Sequence, residues 1–333
     1  MKINTKHIGL CLLLGAAMST TSCNDLLDLD PVSQITPESF YTSADQLATY
    51  LNNYYSSYLV APYSGEMYHT QSYSDGMARS DGNTDIMLAG LNGNTTLFAD
   101  DHWEVSSGKA LQGYYGGVRV YNYFLDKAVT GYENGTITGD AELIKNYIGE
   151  GYFFRALCYF RMLAYYGDLP IVTKVLEDND EVIVENSKRT PRNEVARFII
   201  SDLDKAYAYM SDVDMATTRI NKDVAMLVKS RVALFEATWL QNFKGTAFVP
   251  GGEGWPGASL HNNYQYPSGN IDNEVKYFLE QAVEASKLVA DKYKGNLTEN
   301  TGVLQQSADD PSNPYFDMFA QEDLSDVKEA LLW

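Results

Sequence analysis

The sequence predicts a mostly α-helical fold in which antiparallel helix pairs follow one another, with long irregular loops and few short strands. Three observations lead to this prediction. Long segments carry apolar side chains at helical spacing. Small residues alternate with aromatic ones on these segments, which lets helices pack closely. Short apolar runs that could form strands are few and scattered. Together these features are typical of a TPR-like stack (α-α superhelix), here with irregular spacing between pairs.

Seven segments carry the helical pattern, and several have recognisable ends. Ser43 and Gln46 form a capping box at the start of the first segment. Gly167 supplies a C-cap for the third. Thr190 and Pro191 form an N-cap and first-turn pair for the fourth. The predicted helices span residues 43–58, 109–129, 140–166, 190–210, 222–240 and 272–293, with a last one that Ser325 caps; residues 169–172 and 181–184 are candidate strands.

Residues 1–22 have the three parts of a secretory signal peptide. Lys2 and Lys6 precede an apolar run over residues 8–18, and small polar residues follow it. The run is too short to span a bilayer, which takes about 20 residues. Because small residues just before Cys23 resemble the lipobox of bacterial lipoproteins, we expect cleavage before Cys23 and lipidation of its thiol. The alternative is a soluble secreted protein whose Cys23 is incidental or disulfide-bonded.

The other cysteines favour lipidation over a disulfide. Cys11 leaves with the signal peptide. Cys158 lies in an apolar helical segment, where a buried free thiol is common. We therefore expect an exported chain without disulfides, which its hydrophobic core must hold together.

The negative charge of the chain argues against anionic partners. The 25 basic residues face 44 acidic ones, a formal net charge of −19, and loss of Lys2 and Lys6 with the signal peptide makes it more negative. Nucleic acid and anionic lipid head groups are therefore poor partners. A length of 333 residues with 45% hydrophobic content permits a sizeable core, in one large or two modest domains.

Two long loops, residues 62–106 and 243–271, combine polar residues with many aromatic ones. Loops of this length in a compact domain are usually functional or disordered, and aromatic residues argue against disorder. Aromatic rings suit both helix packing and the stacking of sugar rings. These loops are the predicted functional region.

The sequence GEGWPG at residues 252–257 matches a dinucleotide-binding pattern. That pattern needs a strand before it and a helix that opens through it. Because Pro256 and the residues after it do not permit such a helix, we reject nucleotide binding here.

Asp81, Asn83 and Asp85 have the spacing of the first ligands in a calcium loop. The glycine and the closing glutamate that such a loop requires are replaced by Ile86 and Asn92. A polar turn is the expected structure, with a weak structural calcium site as the alternative, and no other cofactor or metal is expected.

Catalytic motifs are missing from the sequence. His69, His102 and His261 are the histidines left after processing, and neither a zinc cluster nor a nucleophile elbow is present. Paired carboxylates that hydrolyse glycosides are compatible with so acidic a chain, although most acids form a solvated face. From these residues we expect neither metal nor triad chemistry.

Several stretches resemble the SusD/RagB family over nearly the whole chain, from Cys23 to Trp333. They are the lipobox with CNDLLDLDP, the helix in KDVAMLVKSRVALFEATW at 222–239, the segments YFDMF and SDVKEALLW within 315–333, and, most specific of all, GYFFRALCYFRMLAYYGDLPIV at 151–172. The resemblance implies that residues 1–22 are a signal peptide and that residues 23–240 form the N-terminal, SusD-like TPR-type helical region. Residues 241–333 would then be the incomplete start of the C-terminal region.

The resemblance also implies a function. Members are lipoproteins on the outer face of the outer membrane that capture glycans and deliver them to a SusC-like TonB-dependent transporter. Acidic residues after the lipidated cysteine, here Asp25, Asp28 and Asp30, resemble the surface-export signal of such lipoproteins. No catalysis is implied.

In this family, aromatic and polar loop residues beside the helices form the glycan site. By region, this implies Tyr73, Arg79, Asp81 and Trp103 in the first loop and Trp255, Tyr264 and Tyr266 in the second. Each aromatic residue could instead pack its own loop against the helices, and Trp103 is the one most expected in the core.

Three functional hypotheses follow. The first is a glycan-capturing lipoprotein. The second is a TPR-type scaffold lipoprotein that binds only protein partners, and the third is a surface glycosidase. Capture of peptides or glycoprotein fragments is a variant of the first. Glycan capture leads because exposed aromatic loops have no role in the other two.

Overall fold

The computed structural model describes residues 40–58, 109–211, 219–304, 307, 309–321 and 323–332. The chain divides into a unit that ends at Tyr41 and a compact unit that spans Thr42–Trp333. Of the first unit, the structure describes Phe40 and Tyr41. All the helices below belong to the second unit.

The described part of the chain is mostly helical, as predicted. It contains two isolated bridges, Ser43–Thr138 and Leu169–Thr190, and no strand. A short 3₁₀ turn covers Pro256–Ser259. The α-helices are α1 Ala44–Tyr58, α2 Lys109–Glu133, α3 Ala141–Tyr166, α4 Asp180–Asn186, α5 Arg192–Tyr209, α6 Lys222–Asn242, α7 Ile271–Tyr293 and α8 Pro314–Ala320.

The long helices pack in chain order into a TPR-like stack. Helix α3 packs against α1, α2 and α5, and the series continues from α5 to α6 and from α6 to α7. Because α3 has neighbours on several sides, most of its residues are buried. None of the described helices is both long enough and apolar enough to cross a membrane.

Small residues allow the helices to approach closely. A Cβ atom at Gly151 would lie 2.6 Å from the Phe124 ring of α2. Ala156, Ala225 and Ala233 are fully buried at helix contacts, as the alternation of small and aromatic residues predicted. The sequence pattern therefore identified the long helices and small residues that are buried between them.

Local hydrogen bonds fix the helix ends. Gln46 Oε1 accepts from the Ser43 N–H at 3.1 Å and Ser43 Oγ accepts from the Gln46 N–H at 3.4 Å, which is the predicted capping box. Gly167 ends α3 at a φ of 69°, and its N–H donates to the Leu163 carbonyl oxygen. This positive φ explains why glycine occupies the C-cap.

Two of the short segments differ from their predicted structures. Residues 181–184 belong to α4 because the Asn179 side chain caps the N–H groups of Glu181 and Val182. A helix capped by Ser325 does not form in the described residues; the Ser325 N–H donates to the Asp323 side chain in a turn. The nearest helix is instead α8, which Asn313 caps.

Four pairs of arginine and a carboxylate with two parallel hydrogen bonds join separate elements within the described residues. In each, the carboxylate side chain is fully buried, and the donor–acceptor distances lie between 2.7 and 3.0 Å. Such pairing satisfies charges that would be costly to bury alone. The pairs are Arg155–Asp202, Arg192–Glu236, Arg197–Glu274 and Arg219–Glu150.

Candidate functional site

The predicted site residues divide between described and undescribed parts of the chain. Cys23 and the first-loop residues Tyr73, Arg79, Asp81 and Trp103 lie outside the described residues, as do the calcium candidates Asp81, Asn83 and Asp85. The second-loop residues are all described. They lie between α6 and α7, where the structure shows how the chain positions them.

The structure brings Trp255, Tyr264 and Tyr266 into one aromatic cluster. The ring centroids of Trp255 and Tyr264 are 5.6 Å apart, and those of Tyr264 and Tyr266 are 5.2 Å apart. His261 stacks on Trp255 with centroids 5.9 Å apart and an interplanar angle of 24°. A Cβ atom at residue 257 would lie 2.2 Å from the Trp255 ring, so Gly257 permits this packing.

Asp168 fastens this cluster to the helices. One carboxylate oxygen, Oδ2, accepts from the Trp255 indole N–H at 2.8 Å. The other, Oδ1, accepts from the backbone N–H of Arg192 at 2.9 Å, in the first turn of α5. Pro191 at the N-cap position has no side-chain acceptor. Asp168 therefore replaces the N-cap that was predicted at Thr190.

A second set of contacts connects the loop to α5 and α7. The Tyr264 hydroxyl donates to Asn193 Oδ1 at 3.0 Å, and the Asn193 amide donates to Glu274 Oε1 at 3.0 Å. Glu274 also accepts from Arg197 and from the Ser268 N–H at 3.2 Å. The Tyr266 hydroxyl donates to the Pro250 carbonyl oxygen at 2.7 Å. The loop is thus held by a network that reaches α5 and α7.

Burial sets the protonation of these groups. It raises the pKa of the Tyr264 and Tyr266 hydroxyls, which therefore remain neutral hydrogen-bond donors. Burial also raises the pKa of Asp168, against the effect of its hydrogen bonds from Trp255 and Arg192. For Glu274, burial alone would raise the pKa, but hydrogen bonds from Arg197, Asn193 and Ser268 outweigh burial and lower it.

The cluster residues differ in what they offer to a ligand. Trp255 is only 5% exposed, and its polar atom is used internally. Tyr264 and Tyr266 are half-buried. Trp255 and Tyr264 thus hold the loop to Asp168 and to Asn193 of α5, which was the alternative interpretation, whereas Tyr266 contacts Tyr264 and Pro250 within the loop. Their assignment as ligand contacts stays a prediction.

Phe248 is the aromatic residue of this loop that presents most of its ring to solvent. Its side chain is 61% exposed, and its ring packs edge-on against Phe243. The Phe248 carbonyl oxygen accepts from the Trp239 indole N–H at 3.1 Å, which holds the backbone in place. Sequence reasoning placed Phe248 in the loop but not in the site, because no sequence signal separates exposed from packed aromatic residues there.

Metal binding and nucleotide binding were also considered for the described residues. No group of three or more His, Cys, Asp or Glu side chains there is arranged to hold a metal ion. At GEGWPG, Pro256–Ser259 form one short 3₁₀ turn rather than a long helix. A pyrophosphate at GEGWPG would therefore lack a helix N-terminus to bind.

The fold and this loop define a class of protein, a TPR-like helical stack that carries an aromatic loop fastened to its helices. A family model described as "starch-binding associating with outer membrane" matches residues 25–234, well over half of the chain. The chain belongs to this SusD-like family. The match includes α1 through most of α6, and the second loop follows it.

Individual relatives agree with this membership. SusD-like protein P2 from Formosa agariphila is 23% identical over 232 residues, which cover 70% of this chain and 44% of the relative. SusD-like protein P25 from the same organism is 26% identical over 229 residues, 66% of this chain and 42% of the relative. The chain thus spans less than half the length of the curated relatives that it matches.

Solved structures with the SusD-like name are also similar to this chain. A SusD-like carbohydrate-binding protein from Bacteroides vulgatus is 16% identical with a TM-score of 0.47, covering 79% of this chain and 47% of its own. One from Bacteroides fragilis is 16% identical with a TM-score of 0.45, covering 79% and 42%.

Proposed function

We propose that the chain belongs to a surface-exposed outer-membrane lipoprotein that captures glycans and delivers them, unaltered, to a SusC-like TonB-dependent transporter. The observation that carries the proposal is the family match over residues 25–234, with its starch-binding description. The lipobox-like residues before Cys23 support lipid anchoring on the outer face of the membrane.

The second loop supports carbohydrate as the ligand. Sugar rings stack on aromatic faces, and such a contact is strongest when the aromatic residue is held rigidly. Asp168 and Asn193 hold the loop at two points, and Phe248 extends from it into solvent. We propose that Phe248 contacts the glycan together with Tyr264 and Tyr266, while Trp255 positions the loop.

The fully buried carboxylates are not available as a catalytic pair. A glycosidase needs two carboxyl groups that face the substrate and exchange protons. In the described residues, every fully buried carboxylate belongs to one of the four arginine pairs. These acids act in structure rather than in proton transfer.

Affinity electrophoresis of the mature chain through gels that contain different polysaccharides tests the proposal. We expect one polysaccharide to retard the chain, and Phe248→Ala to weaken that binding about 3- to 10-fold, the effect of losing one aromatic contact. Phe319→Ala is the matched control, because Phe319 is 72% exposed but lies in α8. It should migrate like the unaltered chain.

Two results would contradict the proposal. A chain that is folded by circular dichroism but retarded by no polysaccharide would favour a scaffold that binds only protein. Release of reducing sugar from a retarding polysaccharide would favour a glycosidase.

A further inference from the structure

A cavity of about 230 Å³ lies apart from the aromatic loop. It is a partly open cavity lined by α2, by the short helix α4, and by the segment 170–176, which begins at the last residue of the Y-G-D-L-P turn (residues 166–170). An apolar cavity of about 150 Å³ is large enough for benzene. This one therefore has room for a ring with a short side chain. Its apolar surface comes from Tyr115, Val118, Pro170, Val172, Leu176 and Ile183.

Hydrogen bonds hold the wall of the cavity in place. The Asn122 amide donates to the carbonyl oxygens of Val172 at 2.9 Å and of Lys174 at 3.2 Å. The Tyr115 hydroxyl donates to the Pro170 carbonyl oxygen at 2.6 Å. Asn122 in turn accepts from Arg155, whose other bonds reach Asp202 in α5. The cavity is thus formed before any ligand enters it.

The neutral polar side chains of the lining already have partners. Asn122 and Tyr115 use their side chains on the wall itself. Asn186 and Ser187 donate to carbonyl oxygens of α4. A polar ligand group placed deep in the cavity would lose its water without gaining a new hydrogen bond. The interior therefore favours an apolar body and disfavours a sugar.

Two cations complete the lining. Arg119 and Lys174 both line the cavity and are exposed to solvent, and none of the described lining residues is acidic. Neither cation forms an ion pair with any residue that the structure describes. The acids of the adjoining segment and helix, Glu177, Asp178, Asp180, Glu181 and Glu185, lie outside the described lining. The charges that a bound group would meet directly are therefore those of the two cations, which favour an anionic group at the rim.

We infer that this cavity is a binding site for a small carboxylate with an apolar body, such as an arylalkanoate. The ring lies between α2 and α4, and the carboxylate faces Arg119 and Lys174. The site is separate from the proposed glycan loop and does not depend on the proposed function.

Ligand-detected NMR or calorimetry with 3-phenylpropanoate tests this inference. The neutral analogue 3-phenylpropanol, of nearly the same size, isolates the contribution of the charge. We expect 3-phenylpropanoate to bind about tenfold more tightly than the alcohol. Arg119→Gln combined with Lys174→Gln should remove that difference, as loss of exposed ion pairs predicts. Arg231→Gln, an exposed position outside the lining, is the matched control.

A substitution that fills the cavity gives an independent test. Ile183 lines the cavity, and α4 contains no buried residue, so Ile183→Trp fills the space without disturbing the core. It should abolish binding of both compounds. Val184→Trp, on the neighbouring residue that is 67% exposed and outside the lining, should leave binding unchanged. Absence of 3-phenylpropanoate binding up to about 10 mM, equal binding of acid and alcohol, or binding that survives Ile183→Trp would each overturn the inference.

Discussion

The hydrogen bond between Trp255 and Asp168 should be a large local contribution to stability, and a double-mutant cycle can measure it. Asp168→Ala removes the acceptor of the indole N–H and the acceptor of the Arg192 N–H. Loss of a helix cap costs about 1 kcal/mol, and loss of a hydrogen bond to a charged group costs about 1.5–3 kcal/mol. We expect Asp168→Ala to lower the free energy of unfolding by about 3 kcal/mol.

Trp255→Phe keeps an aromatic ring in the buried site but removes its donor. We expect it to cost about 2.5 kcal/mol, from the lost hydrogen bond and the smaller ring. Because the two substitutions remove the same bond, the double variant should be about 1.5 kcal/mol more stable than the sum of the single effects predicts.

Urea unfolding followed by far-ultraviolet circular dichroism gives the free energy of unfolding of the unaltered chain, the two single variants and the double variant. The comparison holds if the slope of this free energy against urea concentration is the same for all four. Tyr293→Phe is a control, since the Tyr293 hydroxyl donates to Asp223 and shares no partner with Asp168. Its effect should add to that of Asp168→Ala. If the effects of Asp168→Ala and Trp255→Phe add within about 0.5 kcal/mol, the hydrogen bond does not fasten the loop and this reasoning is refuted.

Two further predictions concern the helices. The pKa of Glu274 is lowered in the folded chain, so its contribution to stability is present above the unfolded pKa and is lost as pH falls through the folded pKa. Between about pH 5 and pH 3, the free energy of unfolding should therefore fall less for Glu274→Gln than for the unaltered chain, and an equal fall would contradict this. Gly151→Ala should destabilise the chain by about 1–3 kcal/mol because its Cβ would meet Phe124. Gly116→Ala, where no described atom beyond its own stretch of helix lies within 4 Å, should instead stabilise α2 by about 0.5–1 kcal/mol in the same urea assay; destabilisation by both would refute the packing argument.

The sequence was sufficient for features that depend on neighbouring residues. The capping box at Ser43 and the C-cap at Gly167 are local, and both were predicted correctly. The four-residue run at 181–184 is too short to separate a helix from a strand by periodicity. The Asn179 side chain caps the N-terminus of this segment and so stabilises it as a helix. Asn313 followed by Pro314 was a usable helix-start signal that the prediction missed.

The site was less predictable because its contacts join distant parts of the chain. Trp255 and Asp168 are 87 positions apart, and Asn193 and Glu274 are 81 apart. Composition indicated that the second loop is functional, but it could not show which rings the helices would cover. For the same reason, the acids that pair with buried arginines could not be separated from those on the solvated face.

The Y-G-D-L-P turn links the fold to the proposed function. Gly167 ends α3 and turns the chain, which places Asp168 beside the start of α5. From there Asp168 holds Trp255, and the residues that follow form a wall of the apolar cavity. One short segment thus ends a helix, caps the next long one, fastens the aromatic loop and shapes the cavity. A substitution at Asp168 should therefore affect the loop and helix α5 together, whereas a substitution at exposed Phe248 should affect the loop surface alone.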